Sequence, residues 1–495
     1  MYIVVTATYI LILTGIILIK SRGVKNEEDF VVAGRNVPVY LLVGTLVTTW
    51  IGSGSLFGTA GLTFRTGFSE LWFSMGAWIG ILVVYFIAAR VRKISQYTLT
   101  DILEKRYAPV ARLLGTITII IAYLIIAGYQ FRGGGRFLSI LTEGSISPEL
   151  GTMISCVVII AFTALAGMIS IVSIDIFNGI IMIIAIVMAL PFSLSAHGGW
   201  DEVVKTINAV SPDHLSMIEG HEPSWYLAIL LPTLLLLLSE SSVYQKFSSA
   251  KDAKSAKQAV FGMFIGVVLI EFLMCAIAVV GFAIYADDPR FFLADGSINA
   301  AMSEEIILRI GFEQLPAYVG SLLFAGGVAI ILSTGNTFLM VTSTNVSRDL
   351  IEKYFVKTDD PKRKLLIQRI SVLILGLMAY LMVTQFTTIL EMALISYTMI
   401  GASLAPALLA AFFWKRVTKE GGIASIASGM LTVIIISVLN RVFENSTLDL
   451  GIISFPFSTD FIAIPAIIVS LTTLISVSLA TKPSPSHVVE PFFEE

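Results

Sequence analysis

Long apolar runs, separated by short polar stretches, follow one another along the whole chain. A helix needs about 20 apolar residues to cross the hydrocarbon core of a bilayer. Lipid forces such runs into helices, because an open sheet edge cannot be satisfied in hydrocarbon. Candidate spans lie near 2–19, 39–63, 68–89, 113–139, 150–173, 175–196, 225–245, 258–285, 315–347, 367–385, 387–413, 421–440 and 460–481. This pattern predicts an all-α polytopic membrane protein with about 13 transmembrane helices.

The basic residues between the runs predict the side of the membrane on which each loop lies. With the N-terminus outside, 25 of the 32 Lys and Arg residues fall on the cytoplasmic side and five fall outside. Arg132 and Arg136 remain at helix depth. This bias agrees with the positive-inside rule. We therefore predict an uncleaved leading helix, an outer N-terminus and a cytoplasmic C-terminus in a multi-pass protein of the cell membrane.

The composition agrees with a membrane protein and excludes several other classes. Hydrophobic residues make up 56% of the chain and charged residues 14%, against about 25% charged in a typical soluble protein. The net charge of −3 offers no basic excess to attract nucleic acid. An ordinary cytosolic enzyme, a disordered protein and a nucleic-acid binder are therefore excluded.

The regions between the spans carry no recognisable additional module. The largest outer loops, about 197–224 and 286–314, are too short for separate domains, so 1–481 forms a single transmembrane domain. We expect the Pro- and Ser-containing cytoplasmic tail, 482–495, to be disordered. Cys156 and Cys275 lie in apolar runs, which is typical of small buried residues. No spaced metal-ligand pair and no P-loop lysine occurs, so we expect no cofactor and no metal cluster.

Two of the runs are interrupted by small and polar residues. The second contains 52–55, Gly-Ser-Gly-Ser, and the seventh contains 239–242, Ser-Glu-Ser-Ser. Packing of helices through small residues is one explanation. Breaks at corresponding places in two halves are, however, typical of a transporter's substrate site, where unwound carbonyls bind a cation. The spacing indicates two five-helix repeats, about 39–196 and about 225–413, with one leading and two trailing helices.

Ionisable residues at bilayer depth are a second indication of function, because each costs about 2.5–3.5 kcal/mol or more. The acidic candidates are Glu70, Asp175, Glu240, Glu271 and Glu391. Glu70 and Asp175 lie near span ends, where either side chain can reach water. A structural ion pair is the alternative explanation for each of the five.

Arg132 is followed by three glycines, Gly133 to Gly135, which permit a close approach of backbone or ligand. A guanidinium binds carboxylates through two parallel hydrogen bonds, so Arg132 is a candidate clamp for an anionic group of a substrate. The alternatives are a salt bridge to Glu70 or Glu240, or a side chain that extends to the outer interface.

Ser333 and Thr334 place adjacent hydroxyls in the ninth span. Two neighbouring hydroxyls on a helix can supply oxygen ligands to a small cation, and unwound carbonyls near 48–51 can complete the set. Hydroxyls in membrane helices more often serve helix packing, which is the alternative here.

Several short motifs, in this order and spacing, resemble the sodium/solute symporter family, which includes proline, pantothenate, sialic-acid and sodium/glucose transporters. The resemblance extends from the leading helix to the thirteenth span. The motifs are Ser21-Arg22-Gly23, 28–35 with its final Ala-Gly-Arg, Gly58-Thr59-Ala60-Gly61, Ile174-Asp175-Ile176-Phe177-Asn178, Gln245-Lys246 with 250–254, and Leu332-Ser333-Thr334 followed by Arg348-Asp349.

The resemblance implies a five-plus-five inverted-repeat fold and sodium-coupled uptake. Carried over residue by residue, the sodium site comprises the carbonyls of Thr48, Ile51 and Ile330 and the hydroxyls of Ser333 and Thr334. Asp175 matches the family's fifth-helix aspartate, which assists sodium binding or coupling. The substrate pocket would be lined by Gly52, Ser55, Glu70, Arg132, Glu240, Ser241 and Tyr244.

Trp50 and Lys246 depart from the family pattern, whereas the position of Arg132 agrees with it. Proline carriers have an acidic residue where this chain has Trp50, which argues against a strict proline carrier. The usual Gln-Arg is Gln245-Lys246 here. Sialic-acid carriers place an arginine in the same core helix as Arg132, which favours its role as a carboxylate clamp.

We therefore expect a sodium symporter that imports a small polar solute, such as an amino acid or organic acid, by alternating access. Its expected partners are the solute, sodium and the lipid bilayer, without nucleic acid or an obligate protein partner. A proton-coupled carrier that uses Asp175 is the main alternative, and a solute sensor is the second. A membrane enzyme is disfavoured, because no nucleophile–base pair lies at membrane depth.

Overall fold

A computed structural model describes most of the chain. The described residues are 1–20, 37–94, 98–166, 168–356, 360–443, 447–449, 454–456 and 458–493. The motifs at 21–23 and 28–35 lie outside these ranges, as do Arg22, Lys25, Arg35 and Lys357 of the predicted cytoplasmic basic residues.

Helices account for nearly all of the described structure. In the first half they are α1 (Tyr2–Lys20), α2 (Val39–Trp50), α3 (Ala60–Thr66), α4 (Leu71–Ile94), α5 (Leu99–Arg106), α6 (Pro109–Leu141), α7 (Pro148–Ala166), α8 (Met168–Ala196) and α9 (Trp200–Val210). In the second half they are α10 (Pro223–Leu238), α11 (Ser241–Ser249), α12 (Ala253–Ile284), α13 (Ala300–Ser303), α14 (Ile306–Glu313), α15 (Ala317–Thr344), α16 (Pro361–Val383), α17 (Ile389–Phe413), α18 (Lys419–Val442), α19 (Ala463–Ala480) and α20 (Ser486–Val489).

Shorter elements connect or extend these helices. Gly54–Thr59 and Asn345–Phe355 are π-helical, and Gly67–Glu70, Pro212–Leu215, Thr459–Phe461 and Glu490–Phe492 are 3-10 helical. Two three-residue strands, β1 (Thr447–Asp449) and β2 (Ser454–Pro456), form an antiparallel hairpin between α18 and α19. The predicted all-helical membrane architecture is confirmed, with this hairpin as a small addition.

The number of membrane spans depends on how the helical segments between Val39 and Ile94 are counted. Twelve helical stretches in the described residues are long and apolar enough to cross a membrane, and Val39–Trp50 is a shorter apolar helix. One of the twelve, Gly54–Ile94, is divided at Gly67, whose positive φ of 61° ends α3. A Cβ at Gly67 would lie 2.1 Å from the carbonyl oxygen of His214, so only glycine fits there. Counting α2 with α3 as one broken helix gives the predicted thirteen.

The membrane helices pack in two groups. In the first, α4 packs against α10 and α12, and α12 also contacts α2 and α3. In the second, α6, α7, α15 and α16 all contact one another. Helix α8 packs against both α15 and α2, whereas α17 packs against both α6 and α10. Both interrupted helices therefore belong to the first group, and α6 and α15 of the second group lie beside them.

Burial identifies the helices at the centre of the molecule. In the most apolar 18-residue stretch of each span, the share of buried residues is 89% in α17, 83% in Ala317–Phe355 and 78% in Pro223–Ser249. In α1 it is only 22%. Polar side chains on the buried helices cannot reach water and need partners inside the protein. The contacts of those polar side chains therefore define the candidate site.

The C-terminal tail is folded over its described part, contrary to the expectation of disorder. Helix α20 and Glu490–Phe492 follow α19, and Phe492 is fully buried. Its ring makes an edge contact with Phe412 at the end of α17, with 5.5 Å between the centroids. The sequence pattern missed this docking because only two apolar residues, Val489 and Phe492, are buried in it.

Replacing Phe492 with alanine is expected to release the tail. A buried Phe→Ala change typically costs about 3–5 kcal/mol, which would shift the equilibrium between the docked and the released tail by about two to four orders of magnitude. Hydrogen exchange of residues 486–493 is therefore expected to become fast in this variant. Phe493→Ala, at the less buried neighbouring ring, is the control and should retain most of the protection. Equal exchange in the wild type and in Phe492→Ala would contradict this anchoring role.

Candidate functional site

The first interruption turns carbonyl groups out of the helix. Helix α2 ends at Trp50, and Ile51 has an extended backbone (φ −76°, ψ 99°). The π-helical turn Gly54–Thr59 then continues into α3. Gly52 lies in this interruption, where a Cβ would be 2.8 Å from the methyl carbon of Thr334 and 3.0 Å from the amide nitrogen of Gln130. Glycine is therefore required for the break to approach α6 and α15 closely.

Thr334 of α15 faces the carbonyls of this break. Its hydroxyl lies 3.2 Å from the carbonyl oxygens of both Thr48 and Ile51, and 3.4 Å from that of Thr49. All of these groups are buried. Buried oxygen atoms that converge in this way are the kind of ligand that a small, hard cation takes. Three members of the predicted sodium set, Thr48, Ile51 and Thr334, are thus brought together, with Ile330 one turn earlier in α15.

Ser333 and Asp175 lie beside the group formed by Thr334 and the unwound carbonyls, and extend it into a larger polar cluster. The Ser333 hydroxyl donates to Asp175 of α8 at 2.6 Å, and the Thr45 hydroxyl donates to the other carboxylate oxygen. Asp175 is fully buried. Ser333 therefore contacts the aspartate, whereas its neighbour Thr334 contacts the unwound carbonyls. The two predicted hydroxyl ligands have different partners, although the cluster is continuous.

The second interruption separates α10 from α11 at Ser239 and Glu240. The Glu240 side chain caps α11, where it accepts a hydrogen bond from the amide of Ser242 at 3.2 Å. A carboxylate at a helix N-terminus is favoured by the helix dipole. The hydroxyl of Tyr244 donates to the carbonyl of Leu238 at 2.7 Å, so this side chain bridges the break. The Tyr244 hydroxyl is therefore used to stabilise the helix break itself.

Helices α6 and α17 each contact both interruptions. On α6, the Tyr123 hydroxyl donates to Glu240, and the Gln130 side-chain oxygen accepts from the Ser53 amide at 2.9 Å. On α17, Tyr397 lies against Gly54, whereas the carbonyl of Ile400 is 3.5 Å from the Ser239 hydroxyl. Tyr123 and Gln130 are seven residues apart, which is about 10 Å along a helix. The contacts that α6 makes with the two breaks thus lie about two helical turns apart.

Several buried polar atoms around the two breaks have no hydrogen-bond partner among the described residues. They are Oγ of Ser53, Nε2 of Gln130, Oε2 of Glu240, Oγ of Ser241 and Oγ of Ser242. Buried polar groups are normally satisfied, and an exception calls for an explanation such as a ligand. A polar solute that supplies both donors and acceptors would satisfy them.

Glu70 and Glu271 have their hydrogen-bond partners on α2, α3 and α4. Glu70 lies in the 3-10 turn after α3 and accepts from Ser74 at 2.9 Å. Glu271 of α12 accepts from the indole nitrogens of Trp50 and Trp78, at 2.8 and 2.7 Å. Indoles, rather than a cation, thus hold this carboxylate. Glu391, the last of the five acidic candidates, bonds to the hydroxyl of Thr387 at 3.2 Å.

Among the described residues, Arg132 has no hydrogen bond or ion pair with either break. Its guanidinium donates to the carbonyl of Val383 at 2.8 Å, and neither Glu70 nor Glu240 is its partner. It lines a cavity of about 450 Å³ together with Arg136, Glu149 and Glu305. This outer cavity lies on the predicted outer side. The structure therefore separates Arg132 from the other predicted substrate contacts.

Between the outer cavity and the first break, Glu304 joins four parts of the protein. It is fully buried, forms an ion pair with Arg136 of α6, and accepts from the amides of Ile389 and Leu390 at 3.0 and 2.8 Å. A Cβ at Gly61 of α3 would lie 2.9 Å from the Glu304 backbone, so α3 also packs against it. We name Glu304 and its four contacts the outer closure.

Sequence reasoning missed four residues of this region: Tyr123, Gln130, Tyr397 and Glu304. The first two are polar side chains two helical turns apart on an apolar helix, and this spacing is a signal that places them on one face. The charge of Arg132, two residues further along the same helix, is the more conspicuous feature of the sequence. Tyr397 and Glu304 give no comparable pattern, because their partners lie far away in the sequence.

An all-helical membrane protein with two broken helices and a central cluster of oxygen ligands is a membrane transporter. Residues 30–429 match the sodium:solute symporter family, and the chain belongs to this family. The sodium/proline symporter of Staphylococcus aureus is 24% identical and aligns over 87% of this chain and 85% of its own length. The osmoregulated proline transporter OpuE of Bacillus subtilis (strain 168) is 25% identical, over 82% and 83%.

Solved structures agree on the fold. The substrate-bound, outward-open state of a Na⁺-coupled sialic acid symporter superposes with a TM-score of 0.78 at 15% identity, covering 98% of both chains. A closed nucleobase-cation-symport-1 family transporter gives a TM-score of 0.60 at 12% identity, over 95% of this chain and 98% of its own. The family and the transporter fold expected from the sequence are confirmed, and the matched relatives are transporters rather than enzymes.

Proposed function

We propose that this protein couples the movement of sodium to the import of a small polar organic solute by alternating access. The observation that carries this proposal is the position of the Thr334 hydroxyl, 3.2 Å from two carbonyls of a broken helix. The proposed sodium site comprises Thr48, Ile51, Ile330, Ser333 and Thr334, with Asp175 beside it. The match to sodium:solute symporters supports sodium as the coupling ion.

The proposed solute site lies between the two breaks. We keep Gly52, Ser55, Glu240 and Ser241 in it, and add Gln130. The unpartnered oxygen of Glu240 can accept a hydrogen bond from an ammonium group, and the unpartnered nitrogen of Gln130 can donate one to a carboxylate. An amino acid offers both groups, which agrees with the two proline-transporting relatives. Trp50, in place of an acidic residue, favours a substrate other than proline itself.

The remaining assignments support this cycle without being part of the solute site. Arg132 is proposed to contact the solute in the outer cavity, before the outer closure opens. Glu70 and Tyr244 are proposed to support the helices that line the site. The repeats 39–196 and 225–413, the outer N-terminus and the cytoplasmic tail 482–495 remain predictions. Rocking of the two helix groups would expose the site to each side in turn.

Uptake by reconstituted vesicles tests this function directly. We expect accumulation of at least one amino acid or organic acid when sodium is higher outside, and little uptake when choline replaces sodium at fixed pH. Binding is reciprocal, so the solute should raise sodium affinity by the factor by which sodium raises solute affinity. Sodium-independent uptake would favour the proton-coupled alternative. If the vesicles take up neutral sugars but no amino acid or organic acid, the proposed class of solute is wrong.

A further inference from the structure

Lys246 of α11 is a fully buried lysine beside the proposed sodium site. Its ammonium donates to the carbonyl oxygen of Thr45 at 2.8 Å and also to the hydroxyl of Thr49. Both acceptors belong to α2, the first half of the other broken helix. In the part of the chain that the structure describes, no carboxylate forms a salt bridge with it. Neutral oxygens therefore make the direct contacts with this charge, and the carboxylates of Asp175 and Glu240 lie close enough to interact with it electrostatically.

The residues that hold Lys246 also connect it to the sodium cluster. Thr45 accepts from Lys246 through its carbonyl and donates to Asp175 through its hydroxyl. The Thr49 hydroxyl lies 3.4 Å from that of Thr337, one turn beyond Ser333 on α15. The ammonium thus occupies a pocket of neutral oxygens that shares Asp175 as a neighbour with the proposed sodium site.

An ammonium group and a sodium ion carry the same charge and are both held by oxygen atoms. We propose that Lys246 is a built-in monovalent cation, which fills a second cation position beside the sodium site and limits the number of sodium ions carried with each solute. This inference rests on the proposed sodium coupling. Because Lys246 is part of α11, its positive charge stays in the protein throughout the transport cycle. A bound sodium ion, in contrast, is released together with the solute.

A neutral residue at position 246 removes one positive charge but leaves the oxygens of Thr45 and Thr49 that contacted it. Those oxygens, with Asp175 nearby, would then form a pocket that is more negative by one charge than in the wild type. A second sodium ion restores the original charge. The coupling ratio, rather than the fold alone, is therefore expected to depend on Lys246.

The test compares Lys246→Gln with Lys246→Arg. In vesicles, parallel uptake of radioactive sodium and labelled L-proline, or of another amino acid that the uptake panel identifies, gives sodium ions per solute. We expect Lys246→Gln to carry about one more sodium per solute and to change hyperbolic sodium activation into sigmoidal activation. Lys246→Arg should retain the wild-type ratio. Lys254→Gln removes an exposed lysine of the same region and is the matched control.

If Lys246→Gln does not transport, the equilibrium binding of radioactive sodium to the purified protein can be measured instead. This variant should then bind one more sodium per molecule than the wild type at saturation. An unchanged ratio, or unchanged sodium binding, would overturn the inference and leave Lys246 as a structural residue. Absence of sodium dependence in the wild type would instead refute the proposed function, so the two failures are distinguishable.

Discussion

Replacing Thr334 with valine will raise the sodium concentration required for half-maximal uptake by one to two orders of magnitude. Valine keeps the branched shape of threonine but removes the hydroxyl that lies 3.2 Å from the carbonyls of Thr48 and Ile51. Polar contacts with a charged group contribute about 1.5–3 kcal/mol, and every 1.4 kcal/mol is about tenfold in affinity. The predicted rise is therefore about 10- to 100-fold.

Two related variants make this test specific. Thr334→Ser retains the hydroxyl and should keep a sodium dependence close to that of the wild type. Ser333→Ala removes a hydroxyl that donates to Asp175, so we expect a smaller rise than for Thr334→Val. Measuring uptake over a range of sodium concentrations at constant ionic strength gives the half-saturation of each variant. If Thr334→Val leaves that value unchanged, sodium binds elsewhere.

The second large effect is expected at the outer closure. Glu304→Gln removes the charge that pairs with Arg136 and weakens the contacts with the amides of Ile389 and Leu390. Breaking a buried ion pair costs about 3–5 kcal/mol, because the remaining partner stays buried. The arrangement in which the outer side is closed should become less stable, relative to the outward-open one, by about two to four orders of magnitude. Uptake is therefore expected to be nearly abolished.

Accessibility from the outside measures this shift. Phe57 is fully buried and lies in the π-helical turn between the first break and α3. In a background with Cys156→Ala and Cys275→Ala, a Phe57→Cys reporter should react slowly with a charged thiol reagent. Adding Glu304→Gln should accelerate the reaction strongly.

Glu305→Gln is the matched control for this experiment. Glu305 is the next residue along the chain, and it pairs with Arg309, both side chains being partly exposed. Exposed or partly exposed pairs contribute only about 0–1 kcal/mol, so the reaction rate should change little. Equal reporter rates in Glu304→Gln and Glu305→Gln would show that Glu304 does not hold the outer side closed.

The outcome for Arg132 illustrates the limit of reading charges from a sequence. Its position beside three glycines made it the leading candidate for a substrate clamp. In the structure its guanidinium donates to the carbonyl of Val383, and Gln130, two residues earlier, contacts the first break. Each residue turns a helix by about 100°, so Gln130 and Arg132, two positions apart, point about 160° apart and face different surroundings.

Lys246 illustrates the opposite case. In the sequence it is one member of a Gln-Lys pair close to several other lysines, and nothing local distinguishes it from an exposed residue. Packing of α11 against α2 makes it fully buried and brings it to Thr45 and Thr49. A lysine side chain is long enough to bridge two helices, so its surroundings are determined by the neighbouring helix.

The sequence by itself determined the number of membrane spans, the positions of the two breaks and the hydroxyl pair Ser333-Thr334. These properties are local, because hydrophobicity over about 20 residues decides whether a segment crosses lipid, and small or polar residues interrupt it. Only the tertiary structure decided which side chains meet. Thr334 is 286 residues from Thr48, and Arg136 is 168 residues from Glu304. Such partners are chosen by the packing of distant helices, which no local pattern records.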